Sequence, residues 1–146
     1  MIDYIKDDIT NTDCNYIVHG CNAQGVMGSG VAKVLYNKWP LVRDYYMEQA
    51  CVWSELELGS VQKVEVEKGK WVLNAITQRY FGRGGHKYVS YDAMDACMQK
   101  VRLMTKEDEM IAMPKIGAGL GGGNWDIIET IIRVNLYDRN VTIYEI

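Results

Sequence analysis

The chain has 146 residues, of which 48% are hydrophobic and 24% charged, and its net charge is −3. That length fits one domain, residues 1–146, with one core, and that composition excludes a disordered chain. The acidic balance argues against a general nucleic-acid binder, which needs a basic face.

Residues 2–6 alternate apolar and charged side chains and read as a strand. Residues 16–21 form a nearly continuous apolar run, the pattern of a strand buried on both faces. A glycine-rich stretch follows, Asn22-Ala23-Gln24-Gly25-Val26-Met27-Gly28-Ser29-Gly30-Val31-Ala32. Ser29 is placed to cap a helix over residues 30–39, with Val31, Val34 and Leu35 on one face. Pro40 marks a break, after which Leu41, Val42, Tyr45 and Tyr46 suggest a second helix. Residues 60–67 alternate cleanly, Lys68-Gly69-Lys70 turns the chain, and residues 71–77 return as a more apolar strand. Residues 78–89 read as a loop.

Ser90 caps a third helix, in which Met94, Cys97, Val101 and Met104 share a stripe. Residues 110–116 are a buried strand running into a second glycine-rich stretch, Pro114-Lys115-Ile116-Gly117-Ala118-Gly119-Leu120-Gly121-Gly122-Gly123-Asn124-Trp125. Trp125, Ile128, Ile131 and Ile132 mark a last helix, and residues 141–146 a closing strand. The predicted order is β-β-α-α-β-β-α-β-α-β. Such alternation argues for an α/β fold, a mixed sheet covered on both faces, whose ligands collect at the carboxyl ends of strands. Both glycine stretches fall at such ends.

Four cysteines, Cys14, Cys21, Cys51 and Cys97, form no C-x-x-C pair, and His19 and His86 complete no zinc spacing. Reduced thiols in a cytoplasmic compartment are expected, with no metal and no cofactor. The N-terminal residues have neither the basic nor the apolar segment of a secretory signal, and no apolar run is long enough to span a bilayer, so no membrane partner is expected.

The first glycine stretch approaches a P-loop, with Gly25 and Gly30 at the right separation. Val31 and Ala32 then stand where that motif needs Lys and Ser/Thr, which argues against NTP hydrolysis by that route. The second contains a formal G-x-G-x-x-G, Gly117 to Gly122, with Glu145 downstream. A nicotinamide-binding unit is therefore a rival reading, weakened by the absence of a second nucleotide half after it. Glycine lets the backbone approach a ligand and take positive φ, so consecutive N–H groups can converge on an anion. Two such stretches suggest a site holding phosphates from two sides.

Together these residues resemble the macrodomain, the ADP-ribose-binding family. Asp8-Ile9-Thr10 resembles the family's Asp-Ile pair, whose carboxylate holds the adenine amino group. Asn22-Ala23 resembles the opening of the distal-ribose loop. Gly28-Ser29-Gly30-Val31-Ala32 and Gly117-Ala118-Gly119-Leu120-Gly121 resemble the two phosphate loops. The resemblance implies a three-layer α/β/α fold and a site that includes Asp8, Ile9, Cys21, Asn22, Met27 and the two glycine stretches through Gly122.

The run Ile17-Val18-His19-Gly20-Cys21-Asn22 and the pair Trp39-Pro40 resemble the branch containing ADP-ribose 1''-phosphate phosphatases. That branch also holds glycohydrolases acting on ADP-ribosylated protein or nucleic acid. Those hydrolases carry a lysine where this chain has Gln78, and some an acid where it has Gly121; Arg79 could substitute in part, but it is always charged and cannot become a neutral amine nucleophile. Three activities stay open: the phosphatase, the glycohydrolase, and a reader of ADP-ribose without chemistry. For the phosphatase, His19 is the first candidate proton carrier, because imidazole titrates near neutrality, with Asn22 and Asp92 as further catalytic candidates. Each has a structural alternative: a core histidine, a loop cap and a helix-dipole acid. His86 is a weaker candidate, and nothing in the sequence marks Cys21 as an activated thiolate.

Overall fold

The computed structural model describes residues 1–28, 30–82, 87–119 and 121–146. Six strands form one sheet: β1 (Ile2–Lys6), β2 (Tyr16–Asn22), β3 (Val61–Glu67), β4 (Lys70–Gln78), β5 (Met110–Met113) and β6 (Asn140–Glu145). Their order across the sheet is β1-β6-β5-β2-β4-β3. All neighbours are parallel except β3, which pairs antiparallel with β4 at the edge. The helices are α1 (Gly30–Lys38), α2 (Leu41–Trp53), α3 (Tyr91–Met104) and α4 (Trp125–Asn135).

The period-two alternation of β2 divides the core. Ile17 and Cys21 face a cluster with Leu35, Trp39, Val42 and Tyr46 of the α1–α2 layer. Tyr16 and Val18 face Met94, Cys97, Val101, Ile128 and Ile132 of the α3–α4 layer. The result is an α/β/α sandwich. The expected order of strands and helices holds throughout. Three differences have physical causes. β5 stops at Met113 rather than running through residue 116, because Pro114 carries no N–H for a ladder. β2 runs one residue further, to Asn22, across a bulge beside Gln78. A 3-10 turn, Ile9–Asn11, follows β1; it is capped by Asp8, whose side chain accepts from Thr10 N. A single turn of this kind has no periodicity to read.

Ser90 caps α3 as expected, accepting from Ala93 N at 3.1 Å. Ser29, the expected cap of α1, lies outside the described residues. α4 is capped by Asn124, whose Oδ1 accepts from Asp126 N at 2.9 Å and Ile127 N at 3.4 Å. That cap ties the second glycine stretch to a helix whose Ile128 and Ile132 are fully buried.

The α1–α2 face also buries a polar chain. His19, 1% exposed, donates from Nε2 to Asn74 Oδ1 at 2.5 Å. Asn74 Nδ2 in turn donates to Gln62 Oε1 at 3.0 Å and Val42 O at 3.3 Å. Desolvation depresses the His19 ring to a pKa of about 4, offset in part by the Asn74 hydrogen bond. The ring is therefore neutral at neutral pH.

Between the ordinary histidine pKa of 6.5 and about 4, the unfolded chain takes up a proton that the folded ring refuses. Stability must then fall as pH drops through that window, by about 3 kcal/mol in full. Urea unfolding at pH 7 and pH 4.5 should show that loss, and His19→Gln should flatten it; an unchanged slope in the variant contradicts the assignment. Asn124→Ala should lower stability by about 1 kcal/mol through loss of the α4 cap, read in the same experiment.

Candidate functional site

The sheet opens between β2 and β5. The two strands pair at only two positions, Tyr16↔Ile111 and Ile17↔Ala112. β2 then continues beside β4, while the chain after β5 leaves at Pro114. β2 connects through α1 and α2 toward β3 and β4, on one side of the sheet. β5 connects through α4 to β6, on the other. Chains that diverge from adjacent parallel strands leave a crevice at their carboxyl ends. Both glycine stretches begin there.

The crevice is a cavity of about 590 Å³. Asn22, Met27, Gly28, Gly30, Val31 and Ala32 line one side of it, and Gly117, Gly119 and Gly121 the other. The expectation that the two stretches face one space is met by this geometry. The remaining wall comes from the ends of β2 and β4 and the segment after β4, including Gly20, Thr77, Gln78, Phe81 and Gly82, and from Lys115 after β5. A second cavity, about 160 Å³, adjoins it and shares Val31 and Pro114. Asp7, Asp8, Ile9, Val34, Tyr144 and Ile146 complete that smaller pocket.

The first loop is organised by Asn22. Its Oδ1 accepts from Gln24 N at 3.0 Å and Val26 N at 3.3 Å, and its Nδ2 donates to Val26 O at 2.7 Å. Tyr46, fully buried, donates to Asn22 O at 2.6 Å and lies 3.0 Å from Asn22 Oδ1. Burial raises the phenol well above its usual range, so it stays a donor. Asn22 is thus the loop's internal scaffold, with 7% of its surface facing the cavity. The first turn of α1, Gly30-Val31-Ala32, adds N–H groups without intrahelical acceptors, and Gly30 takes a φ of 64°.

The second loop is tighter. Gly117 and Gly122 have φ of 76° and 71°, the left-handed region open to glycine. Gly123 N donates to Gly117 O at 2.7 Å, Gly122 N to Gly119 O, and Ala118 N to Lys115 O. Among the described residues, the N–H groups of Gly117, Gly119 and Gly121 have no protein acceptor. These amides, with those opening α1, form two donor arrays on opposite walls of one crevice, the arrangement that binds a multiply charged anion without basic side chains. A Cβ on Gly121 would lie 2.8 Å from Gly117 O and 3.1 Å from Gln78 Oε1. That position has no room for a side-chain acid.

In the smaller pocket Asp8 is preset. Its Oδ1 accepts from Thr10 N at 2.9 Å and Thr10 Oγ1 at 2.8 Å. These bonds, the backbone one foremost, hold the exposed carboxyl below its ordinary range. It is ionised at neutral pH and held in one orientation.

The other expected site residues divide. Cys21 lines the large cavity, but burial pushes its thiol far up, so it is no thiolate. Its Sγ lies 3.7 Å from His19 Nε2. His19 reaches the wall with 1% of its surface, its ring engaged by Asn74. Asp92 is exposed in the first turn of α3 and does not line the cavity. Ala118 is half-buried in the second loop, and Gly122 supplies its turn. Ser29, Leu120 and His86 lie outside the described residues. Sequence reasoning missed Thr77, Phe81, Gly82 and Lys115. The last projects from the start of the second loop and is paired with Glu145 at 2.9 Å. Only the position of Lys115, next to a glycine stretch, could have flagged it. Among the described residues, no group of three His, Cys, Asp or Glu side chains could hold a metal, and no helix is long and apolar enough to cross a membrane.

Comparison with known proteins gives a consistent picture. A protein from the tk-vs intergenic region of Enterobacteria phage T4 is 35% identical over 141 residues, covering 90% of this chain and 88% of its own. A DNA ADP-ribosyl glycohydrolase of Mycobacterium tuberculosis is 28% identical over 133 residues; the match spans 88% of this chain and 37% of that protein. An ADP-ribose 1''-phosphate phosphatase of Scheffersomyces stipitis is 26% identical with both chains covered in full. A macrodomain protein from Streptomyces coelicolor superposes with a TM-score of 0.87 at 29% identity, covering 100% of this chain and 99% of its own. The Macro domain family profile matches residues 18–132, from the middle of β2 into α4. The chain belongs to the Macro domain family.

Proposed function

We propose that this protein binds ADP-ribose along the two joined cavities and hydrolyses ADP-ribose 1''-phosphate to ADP-ribose and phosphate. The observation that carries the binding reading is the pair of amide arrays facing across one crevice, beside a pocket with an oriented carboxylate. Asp8 accepts a hydrogen bond from the adenine amino group, with Ile9 and Val34 against the ring. The diphosphate lies between the amides of Gly28, Gly30 and Val31 and those of Gly117, Gly119 and Gly121. The terminal sugar then reaches the Gln78 side of the large cavity. An acidic protein holds the anion this way because N–H groups and the α1 N-terminus supply the positive potential.

Hydrolysis of the phosphomonoester needs positioning, charge stabilisation and a proton carrier. The amide arrays supply the first two. Asn22 acts by holding the first loop in shape. Among the described residues His19 is the imidazole that lines the crevice; its Nε2–H is held by Asn74, so Nδ1 is the nitrogen open to a proton. With a pKa of about 4 it is a weak base, so most of the rate enhancement falls to the amides. Asp92 would act only by a shift of the α3 N-terminus.

The glycohydrolase reading is supported by the mycobacterial relatives of that name and has two features against it. Gln78 offers no amine, and its Nε2 donates to Tyr80 O at 2.7 Å. The closed position at Gly121 offers no acid.

Calorimetry with ADP-ribose should give a one-to-one complex. Asp8→Asn keeps an oxygen for the Thr10 cap but turns an NH2 toward the adenine amine; it should weaken binding about tenfold or more. No heat of binding in the wild type, or unchanged affinity in the variant, contradicts the site. Phosphate release from ADP-ribose 1''-phosphate, measured beside ADP-ribose release from modified DNA, separates the two chemistries. His19→Gln should slow phosphate release about tenfold or more, the amide arrays keeping the remainder, while leaving ADP-ribose affinity within about twofold. Full turnover in that variant removes the histidine from the reaction.

A further inference from the structure

We propose that the hydroxyl of Thr77 takes its hydrogen-bond partner from the terminal sugar of the bound nucleotide, and so sets the preference for ADP-ribose over ADP. The inference rests on the ADP-ribose reading above and extends it to a residue that no motif marks. Thr77 sits near the end of β4, in the row of Leu73 and Ala75, both fully buried. A valine would fill that row as well. Instead the position carries an oxygen, and among the described residues Thr77 Oγ1 is the one buried side-chain polar atom with no partner. A buried hydroxyl left unpaired is destabilising, and such groups in folded proteins call for an absent water or ligand.

Its surroundings point outward to the crevice. Thr77 lines the large cavity although only 1% exposed. It lies across from Gly20, an exposed residue in the strand β2. A Cβ on Gly20 would lie 2.9 Å from Thr77 Oγ1 and 2.9 Å from Ile116 Cγ2. Glycine at position 20 therefore keeps a Cβ from pressing directly on the buried hydroxyl from that flank.

The sheet order fixes which part of the ligand comes near. Asp8 follows β1, the two amide arrays follow β2 and β5, and Thr77 ends β4. Across the sheet that sequence is β1, β6, β5, β2, β4. Asp8 and Thr77 thus lie four strand intervals apart, about 19 Å at the usual spacing, with the arrays between them. Adenine at Asp8 and a diphosphate at the arrays leave the terminal sugar for the β4 side. A sugar hydroxyl is both donor and acceptor, as the threonine hydroxyl is, so the pair is satisfied in either direction.

ADP lacks that sugar and shares everything else, which makes it the control. Calorimetry on the full chain with ADP-ribose and with ADP should be run for wild type, Thr77→Val and Thr77→Ser. The valine variant should lose about tenfold in ADP-ribose affinity and nothing in ADP affinity. The serine variant should keep the wild-type preference, and the melting temperature of the ligand-free valine variant should not fall. The proposal is overturned if the valine variant binds both nucleotides as the wild type does, or loses both alike. It is also overturned if the wild type holds ADP-ribose no better than ADP. A wild type that binds neither nucleotide contradicts the ADP-ribose reading itself, a result distinct from the others.

Discussion

The site depends on how briefly β2 and β5 pair. Two rungs of parallel ladder join them, ending at Ala112; β5 itself ends one residue later, at Met113, before Pro114, and the chains part. Had β5 run on beside β2, its backbone N–H groups would be bonded within the sheet. Because it stops, the amides of the segment after it are free to point into a crevice. The same early end lets Gly117 and Gly122 adopt positive φ without breaking a strand. The crevice is thus a consequence of sheet topology, and the glycines make it passable.

The two walls are held by different means. The first is held from within by Asn22, which gathers Gln24, Val26 and the buried Tyr46 hydroxyl. It is also tied to β4, since Ala23 N donates to Gln78 O at 2.9 Å. The second wall is held by its own turns and by Gly121 O, which accepts from Tyr88 N and Val89 N. Preorganised amides of this kind stabilise charge without reorganising when it arrives. That economy suits an acidic chain, where lysine and arginine are not needed to line the crevice in number.

Much of this was legible in the sequence because the signals were local. Apolar runs ending in glycine gave β2 and β5, Ser90 gave the start of α3, and the two glycine stretches gave the crevice. What escaped has a common cause. His19 lies in an apolar strand at the edge of a motif, and nothing in its neighbours in sequence shows that Asn74 and Gln62 wait for it across the sheet. Asn22 looked like a ligand contact and is first a scaffold, because its partner Tyr46 comes from a helix 24 residues away. Thr77 read as one more β-branched strand residue. Its missing partner is a fact about three-dimensional surroundings, which no spacing encodes. The 3-10 turn that orients Asp8 is likewise too short to leave a pattern.

The central claim is that main-chain amides from both glycine loops hold one diphosphate. An amide-resolved NMR titration with ADP-ribose tests it most directly. The account predicts that the amide resonances of Gly28, Gly30, Gly117, Gly119 and Gly121 shift together, along one saturation curve. Shifts confined to a single loop, or two loops saturating at different concentrations, would contradict it.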